Sequence, residues 1–183
     1  MSEMQQRHKA FETFAKPYLP LLFRYARHLA RATQDAEDLV QETCLKAFRS
    51  FHRFRPGTDA RAWLLTILTN TYRDWGRKML RQPDTLVVED VSELYHQYHR
   101  DQTQPRVPAP EKAAAQAELG RLVRVALDDL PPDMRLAVLL ADVEGFAYKE
   151  IAEIVGCPIG TVMSRLHRGR QLLRTTLQAL IED

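Results

Sequence analysis

The sequence predicts an all-α protein made of two small helical domains, residues 1–81 and 111–183, joined by a flexible linker. Apolar residues recur at steps of three and four through most of both stretches. Between them, residues 82–110 lose that period and gain acidic residues and prolines, as linkers do. The 183 residues, 45% apolar and 27% charged, suffice for two such domains.

The first domain is predicted to begin with helices from His8 onward, which Pro17 and Pro20 bend or interrupt. A further helix is predicted from Asp35 to Phe51, with acidic residues in its first turn beside the positive end of the helix dipole. Its apolar stripe consists of Val40, Cys44, Ala47, Phe48 and Phe51. The opposite face carries Asp38, Gln41, Glu42, Leu45 and Arg49.

That polar face has two interpretations from the residues alone. A solvated surface with one exposed leucine needs no further explanation. A nuclease-like metal or acid-base site at Asp35, Glu37 and Asp38 is the catalytic alternative. No histidine or cysteine lies at ligand spacing beside these acids, and their place at a helix start is a sufficient structural reason for them.

A basic and aromatic loop follows, and Pro56-Gly57 marks its turn. Asp59 is predicted to cap the next helix. Aromatic rings and hydrogen-bond donors such as those of Phe54 and its basic neighbours suit bases that have left a duplex. The alternative is a core of Phe51, Trp63 and Trp75 with a basic exterior, which we favour for the two tryptophans.

In the linker, His96 and His99 have metal-ligand spacing but no second ligand pair nearby, so a solvated segment is expected there. Beyond the linker, two helices are predicted. The first has an apolar stripe that it buries, and the second is strongly apolar and ends at Gly145. The stripe consists of Leu119, Leu122, Val123, Ala126 and Leu127.

Residues 145–174 predict two helices around a tight turn. The first spans Tyr148 to Val155 and stops at Gly156, and the second starts at Thr161. The inner side of the second carries Val162, Leu166, Gly169 and Leu173, and the outer side carries Ser164, His167, Arg168 and Gln171. Arg165, Arg170 and Arg174 flank the outer side. This pattern is typical of a helix-turn-helix that reads DNA, and a helical protein-binding module is the alternative.

Charge and cysteine usage set limits on the function. A net charge of +2 predicts weak DNA binding by the chain alone, so promoter binding would require a larger partner. Cys44 and Cys157 have neither metal-ligand nor disulfide spacing, which suits a reducing cytosol. No apolar run is long enough to span a bilayer, so a soluble cytoplasmic protein is expected, with no membrane insertion.

The run YKEIAEIVGCPIGTVMSRLHRGR resembles region four of bacterial sigma factors of the extracytoplasmic-function (ECF) group, and LVQETCLKAF resembles part of their region two. The resemblance implies a transcription initiation factor, without catalysis, cofactor or metal. Its implied partners are core RNA polymerase, through the largest-subunit clamp and the flap, promoter DNA and an anti-sigma factor.

The resemblance also assigns roles to individual residues. Polymerase binding falls on Asp38, Gln41, Glu42 and Leu45. A flipped base of the downstream promoter element is assigned to Ser50, Phe54 and Asn70, and backbone phosphates to Arg73, Arg77 and Lys78. The upstream element is assigned to Thr161, Met163, Ser164, Arg165, His167, Arg168 and Gln171. Met163 and His167 depart from some family members, which have a basic and an aromatic residue there.

A stand-alone, homodimeric helix-turn-helix regulator is the main rival function. Such a protein needs a self-complementary surface and palindromic sites. The sequence shows no coiled-coil heptad or obvious dimerisation helix.

Overall fold

The computed structural model describes residues 3–30, 32–79 and 110–182, and all its regular elements are helical. The chain divides into two compact units with the boundary between residues 104 and 105. Most of the predicted linker, including His96 and His99, lies outside the described residues.

The described residues of the N-terminal unit form four α-helices connected by short turns. They are α1 (Glu3–Ala15), α2 (Leu19–Leu29), α3 (Thr33–Ser50) and α4 (Ala60–Met79), and single 3-10 turns cover Lys16–Tyr18 and Phe51–Arg53. The predicted interruption near Pro17 is confirmed, since the first 3-10 turn contains that proline. Helix α3 packs against both α2 and α4. The centre of this core is fully buried and consists of Leu22, Tyr25, Leu39, Leu64, Leu65 and Leu68.

Helix α3 buries most of its predicted stripe and three residues that the stripe omitted. Val40, Cys44 and Ala47 are buried as predicted. The three additional buried residues are Ala36, Leu39 and Thr43. The Thr43 hydroxyl donates to the Leu39 carbonyl at 2.7 Å, which satisfies its polar group inside the core. Burial raises the pKa of the Cys44 thiol to about 12, so this cysteine is an unreactive core residue.

Aromatic rings connect α1 to the loop before α4. The ring of Phe14 lies 5.0 Å from Phe51, 4.8 Å from Phe54 and 6.1 Å from Trp63, centroid to centroid. The predicted core of Phe51, Trp63 and Trp75 is therefore only partly right, because all three side chains are half-buried. Trp75 instead donates its indole N–H to the Glu42 carboxylate.

Asp59 caps α4 as predicted. Its Oδ1 accepts hydrogen bonds from the backbone N–H groups of Arg61 at 2.8 Å and Ala62 at 3.4 Å. Partial burial raises the pKa of Asp59, but the hydrogen bonds from the Arg61 side chain and backbone outweigh it and hold the pKa below its usual range. The cap therefore stabilises the fold above the pKa of the unfolded carboxyl, and this contribution is lost as the pH falls through the folded value.

We expect Asp59→Ala to lower the free energy of unfolding of the N-terminal unit by about 1 kcal/mol at neutral pH. Urea denaturation followed by tryptophan fluorescence measures this unit alone, because the two tryptophans, Trp63 and Trp75, both lie in it. Asp59→Ser, which keeps a capping oxygen, should retain most of the stability. Equal urea midpoints for the alanine and serine variants would refute the cap.

Among the described residues of the C-terminal unit, one long helix packs against three others. The elements are α5 (Pro110–Asp128), α6 (Pro132–Val138), a π turn (Leu139–Val143), α7 (Tyr148–Val155) and α8 (Ile159–Glu182). Helix α8 contacts α5, α6 and α7. The predicted stripe of α5 holds at its C-terminal end, where Ala126 and Leu127 are buried, but it is wrong for Leu119, which is 57% exposed.

Helix α7 ends where the sequence predicted, but α8 begins earlier than predicted. Gly156 is left-handed, with φ of 60°, and ends α7. Helix α8 begins at Ile159 instead of Thr161, because the carbonyl of Pro158 accepts from the N–H groups of Thr161 at 2.9 Å and Val162 at 3.2 Å. Gly160 therefore lies in the first helical turn.

Helices α6 and α8 approach closely at Gly169. A Cβ atom there would lie 3.0 Å from Val138 Cγ2 and 3.4 Å from Met134 Cβ. Val162 and Leu166, on the same side of α8, are completely buried. This inner face fixes which side of α8 points outward.

Candidate nucleic-acid and protein interfaces

The outward side of α8 is the polar stripe that the sequence predicted. Ser164, His167, Arg168 and Gln171 are all exposed. Ser164 donates to the carbonyl of Thr161 at 3.0 Å, and Met163 is 53% exposed beside it. Hydroxyl, imidazole, guanidinium and amide groups on one helix face are the donors and acceptors that base edges and phosphates require.

The arginines that flank this stripe differ from the expectation, because two of them are paired with aspartates of the supporting helices. Arg170 donates Nε to Asp142 Oδ2 at 3.1 Å and Nη2 to Asp142 Oδ1 at 2.6 Å, and its Nη1 reaches the Tyr148 hydroxyl at 3.3 Å. These hydrogen bonds, that to Asp142 above all, raise the pKa of Arg170. No carboxylate among the described residues pairs with Arg174.

Arg165, on the other flank, donates to the carboxylate of Asp133 and, through Nη1, to Cys157 Sγ at 3.6 Å. Among the predicted upstream-element residues, Arg165 is therefore the one that forms an ion pair with another helix within the described part of the chain, namely α6. Sequence separations of 32 and 28 residues hide both aspartate partners from any local pattern.

A groove of about 570 Å³ runs along α8 beside the start of α7. Its polar lining is provided by Tyr148, His167, Arg170, Gln171 and Arg174. The groove thus shares His167 and Gln171 with the outward stripe, and Arg170 and Arg174 also line it.

Helix α3 presents the predicted protein-binding face. Asp38 is exposed, and Gln41, Glu42 and Leu45 are half-buried. Glu42 is held in place by the Trp75 indole and by Lys46 Nζ at 3.2 Å. An acidic and apolar surface of this kind, with a fixed carboxylate, suits a protein partner that offers basic and apolar groups.

The side chains predicted to bind the downstream element lie at the C-terminal end of α3, on the loop before α4 and along α4. Ser50 donates to the carbonyl of Lys46 at 2.7 Å, and the half-buried Phe54 ring is held between Phe14 and Trp63. Asn70 is exposed and Arg73 is half-buried. The side chain of Lys78 lies outside the described residues.

Arg77 connects this region to the α3 face through charged groups. It donates to Asp74 at 2.8 Å, and Asp74 accepts from Lys46 Nζ at 3.1 Å, while Lys46 also pairs with Glu42. Partial burial raises the pKa of Asp74, but the hydrogen bonds from Lys46 and Arg77 outweigh it and lower the pKa, so Asp74 is a carboxylate at neutral pH. Sequence reasoning missed Lys46 and Asp74, because no motif marks them.

Within the described residues, no group of three or more His, Cys, Asp or Glu side chains is placed to hold a metal ion. No helix of that part of the chain has the length and apolar content to cross a membrane.

Comparison with known proteins identifies both units. The model for sigma-70 region 2 matches residues 6–82, and the model for sigma-70 region 4 matches residues 120–173. An ECF RNA polymerase sigma-E factor of Haemophilus influenzae is 34% identical over 180 residues, covering 94% of this chain and 90% of the relative. The chain belongs to the ECF sigma factors. The ECF sigma factor SigE of Mycolicibacterium smegmatis is 38% identical over 168 residues, and the chain spans 62% of its length.

Two solved structures share this fold. The sigma factor RpoE of Bartonella quintana, in complex with the anti-sigma factor NepR, superimposes with a TM-score of 0.67 at 29% identity, covering 93% of this chain and 98% of that one. CnrH, in complex with the cytosolic domain of CnrY, gives a TM-score of 0.60 at 26% identity, covering 94% of this chain and 90% of that one. The expected family and all-α fold class are confirmed, and the roles of individual residues remain predictions.

Proposed function

We propose that this sigma factor confers promoter choice on core RNA polymerase by reading two DNA elements with its two units. Residues 1–81 dock on polymerase and capture the melted downstream element, and residues 111–183 read the upstream duplex, with 82–110 between them. The observation that carries the proposal is the outward stripe of α8, four exposed polar side chains on a helix whose opposite side is buried. Recognition helices of helix-turn-helix proteins have this arrangement.

In this proposal the N-terminal unit binds polymerase through Asp38, Gln41, Glu42 and Leu45. Leu45 supplies the apolar contact and the acids supply charge complementarity to a basic face of the clamp. Core polymerase then holds the two units apart on the promoter. The modest net charge of +2 makes this support necessary, since few phosphates can be neutralised by the chain alone.

For the downstream element, we propose that Phe54 stacks with an unpaired base while Ser50 and Asn70 bind its edges. The contacts of Phe54 with Phe14 and Trp63 support this role, since a ring already fixed in position loses little freedom when a base stacks on it. Arg73, Arg77 and Lys78 are proposed to hold the adjacent phosphates.

Regulation is proposed to come from an anti-sigma factor. Two structural neighbours, RpoE and CnrH, were solved with an anti-sigma factor and with the cytosolic domain of CnrY, respectively. We place the protein in the cytoplasm, where polymerase and chromosome are. Its action on the promoter is proposed to be binding, without covalent chemistry.

Transcription with purified core polymerase tests the proposal. On a promoter library with randomised upstream and downstream elements, we expect specific transcripts only when both core polymerase and this chain are present. Arg168→Ala should lower transcription from the selected promoters by about tenfold, because a good side-chain contact to a base is worth about 1–3 kcal/mol.

Arg124→Ala is the charge-matched control, since Arg124 is exposed on α5 and is not part of the α8 stripe. It should transcribe like the unmodified chain. Sequence-selective DNA binding by an isolated dimer, with no need for polymerase, would instead favour the stand-alone regulator.

A further inference from the structure

The outward stripe of α8 lies between two arginines that are each neutralised by an aspartate from a supporting element. Arg165 pairs with Asp133 of α6, and Arg170 pairs through two hydrogen bonds with Asp142 of the π turn. Among the described residues, the arginines of this helix without a carboxylate partner are Arg168 and Arg174. Half of the guanidinium charge on the helix that would face DNA is therefore already compensated within the protein.

Holding α8 in place does not account for the Arg170 pair. Val162, Leu166 and Gly169 already fix the helix against its neighbours by burial and close approach. The pair itself is solvent-accessible, with side-chain exposures of 44% for Arg170 and 41% for Asp142. Water and salt screen a pair this exposed, so it contributes less to holding α8 in place than the buried contacts of Val162, Leu166 and Gly169 do.

The pair does change what a DNA backbone meets. Arg170 lines the groove beside the stripe together with Arg174 and the Tyr148 hydroxyl, a place where a phosphate of duplex DNA could lie. Sequence-independent affinity for DNA depends on the number of phosphates that cations neutralise. As long as Arg170 is paired with Asp142, one cation fewer is available to neutralise a DNA phosphate.

We infer that Asp142 acts as an affinity-limiting residue that holds down sequence-independent DNA binding by the free sigma factor. This inference rests on the proposed function, in which α8 faces the duplex. The unpaired stripe keeps its base contacts, while the flanking charge that would attract any duplex is compensated. The free protein therefore stays off bulk DNA and depends on polymerase for promoter binding.

The test is the salt dependence of binding by the full chain to a 30-base-pair duplex of random sequence, measured by fluorescence anisotropy. Asp142→Asn should raise the affinity about eightfold at 0.1 M salt and steepen the slope of log K against log salt by about 0.9, the values for one additional phosphate contact. In an Arg170→Ala background the same substitution should have no such effect, because the freed guanidinium is missing.

Glu153→Gln is the matched control for charge alone, since Glu153 is exposed on α7 and has no arginine partner among the described residues. An increase for Asp142→Asn no larger than that for Glu153→Gln would overturn the inference. So would a gain that persists without Arg170, or a fall in the melting temperature with no gain in affinity, which would make the pair a structural brace.

Promoter transcription by the reconstituted holoenzyme separates this inference from the proposed function. If Arg168→Ala lowers transcription but Asp142→Asn does not strengthen binding to random duplex, the inference alone fails. If Arg168→Ala transcribes normally, the proposed reading face of α8 fails, whatever Asp142 does.

Discussion

Leu45→Arg in α3 is expected to weaken binding to core RNA polymerase by about 100-fold while the N-terminal unit stays folded. Leu45 is half-buried on the same face of α3 as Asp38, Gln41 and Glu42, so an arginine at this position can extend into solvent without leaving a cavity in the core. In the proposed complex, the new charge would be desolvated within an apolar contact, beside the basic face that the acids of α3 are proposed to meet. Losses of this size are typical of central interface residues.

The measurement is a titration of core polymerase with fluorescently labelled chain, together with urea denaturation followed by tryptophan fluorescence. Gln6→Arg introduces the same charge at an exposed position of α1 and should bind like the unmodified chain. Leu45→Ala should fall between the two. Unchanged binding by Leu45→Arg would remove the α3 face from the polymerase interface.

Gly169→Leu is expected to destabilise the C-terminal unit by about 3 kcal/mol and to abolish promoter-specific transcription. The first carbon of the new side chain would already lie 3.0 Å from Val138 Cγ2 and 3.4 Å from Met134 Cβ, so the rest of it has no space between α6 and α8. Overpacking of a close contact costs about 1–3 kcal/mol and displaces the helices that make it. Displacing α8 moves every residue of the outward stripe.

Two spectroscopic signals can localise this damage. Far-UV circular dichroism reports on both units, whereas tryptophan fluorescence reports on the N-terminal unit, which contains Trp63 and Trp75. The Gly169→Leu variant should lose ellipticity at lower urea concentration while its fluorescence transition stays in place. Gly120→Ala is the control, because no atom lies within 4 Å of the added carbon and a helical alanine gains up to about 1 kcal/mol. A shift of the fluorescence transition in Gly169→Leu would contradict the assignment.

The elements that the sequence predicted well are those set by local chemistry. Asp59 caps α4 because a carboxylate before a helix accepts from free N–H groups, and Gly156 ends α7 because glycine adopts a left-handed conformation readily. The inner and outer sides of α8 follow from spacing alone. Leu119 was misplaced because a helical period identifies a stripe but not the length over which a neighbouring helix covers it.

The partners of the candidate site residues could not be predicted in this way. The links between Glu42 and Trp75, Arg165 and Asp133, and Arg170 and Asp142 each join residues about thirty positions apart. Such contacts depend on how helices pack, and no local motif encodes them. The resemblance to sigma regions supplied candidate residues for each interface, and the structure shows which of their charges are already compensated.

The π turn at Leu139–Val143 places one more residue in that turn than an α-helix would hold, with the N–H of Glu144 bonding to the carbonyl of Leu139 at 3.2 Å. Deleting one residue there would restore ordinary winding and rotate the chain after the turn by about 100°. The ring of Phe146, which is buried in the core, would then be displaced from its packing position. Substitutions in this segment should accordingly be tolerated more readily than changes in its length. A deletion here would alter the angle at which α8 presents its outward stripe.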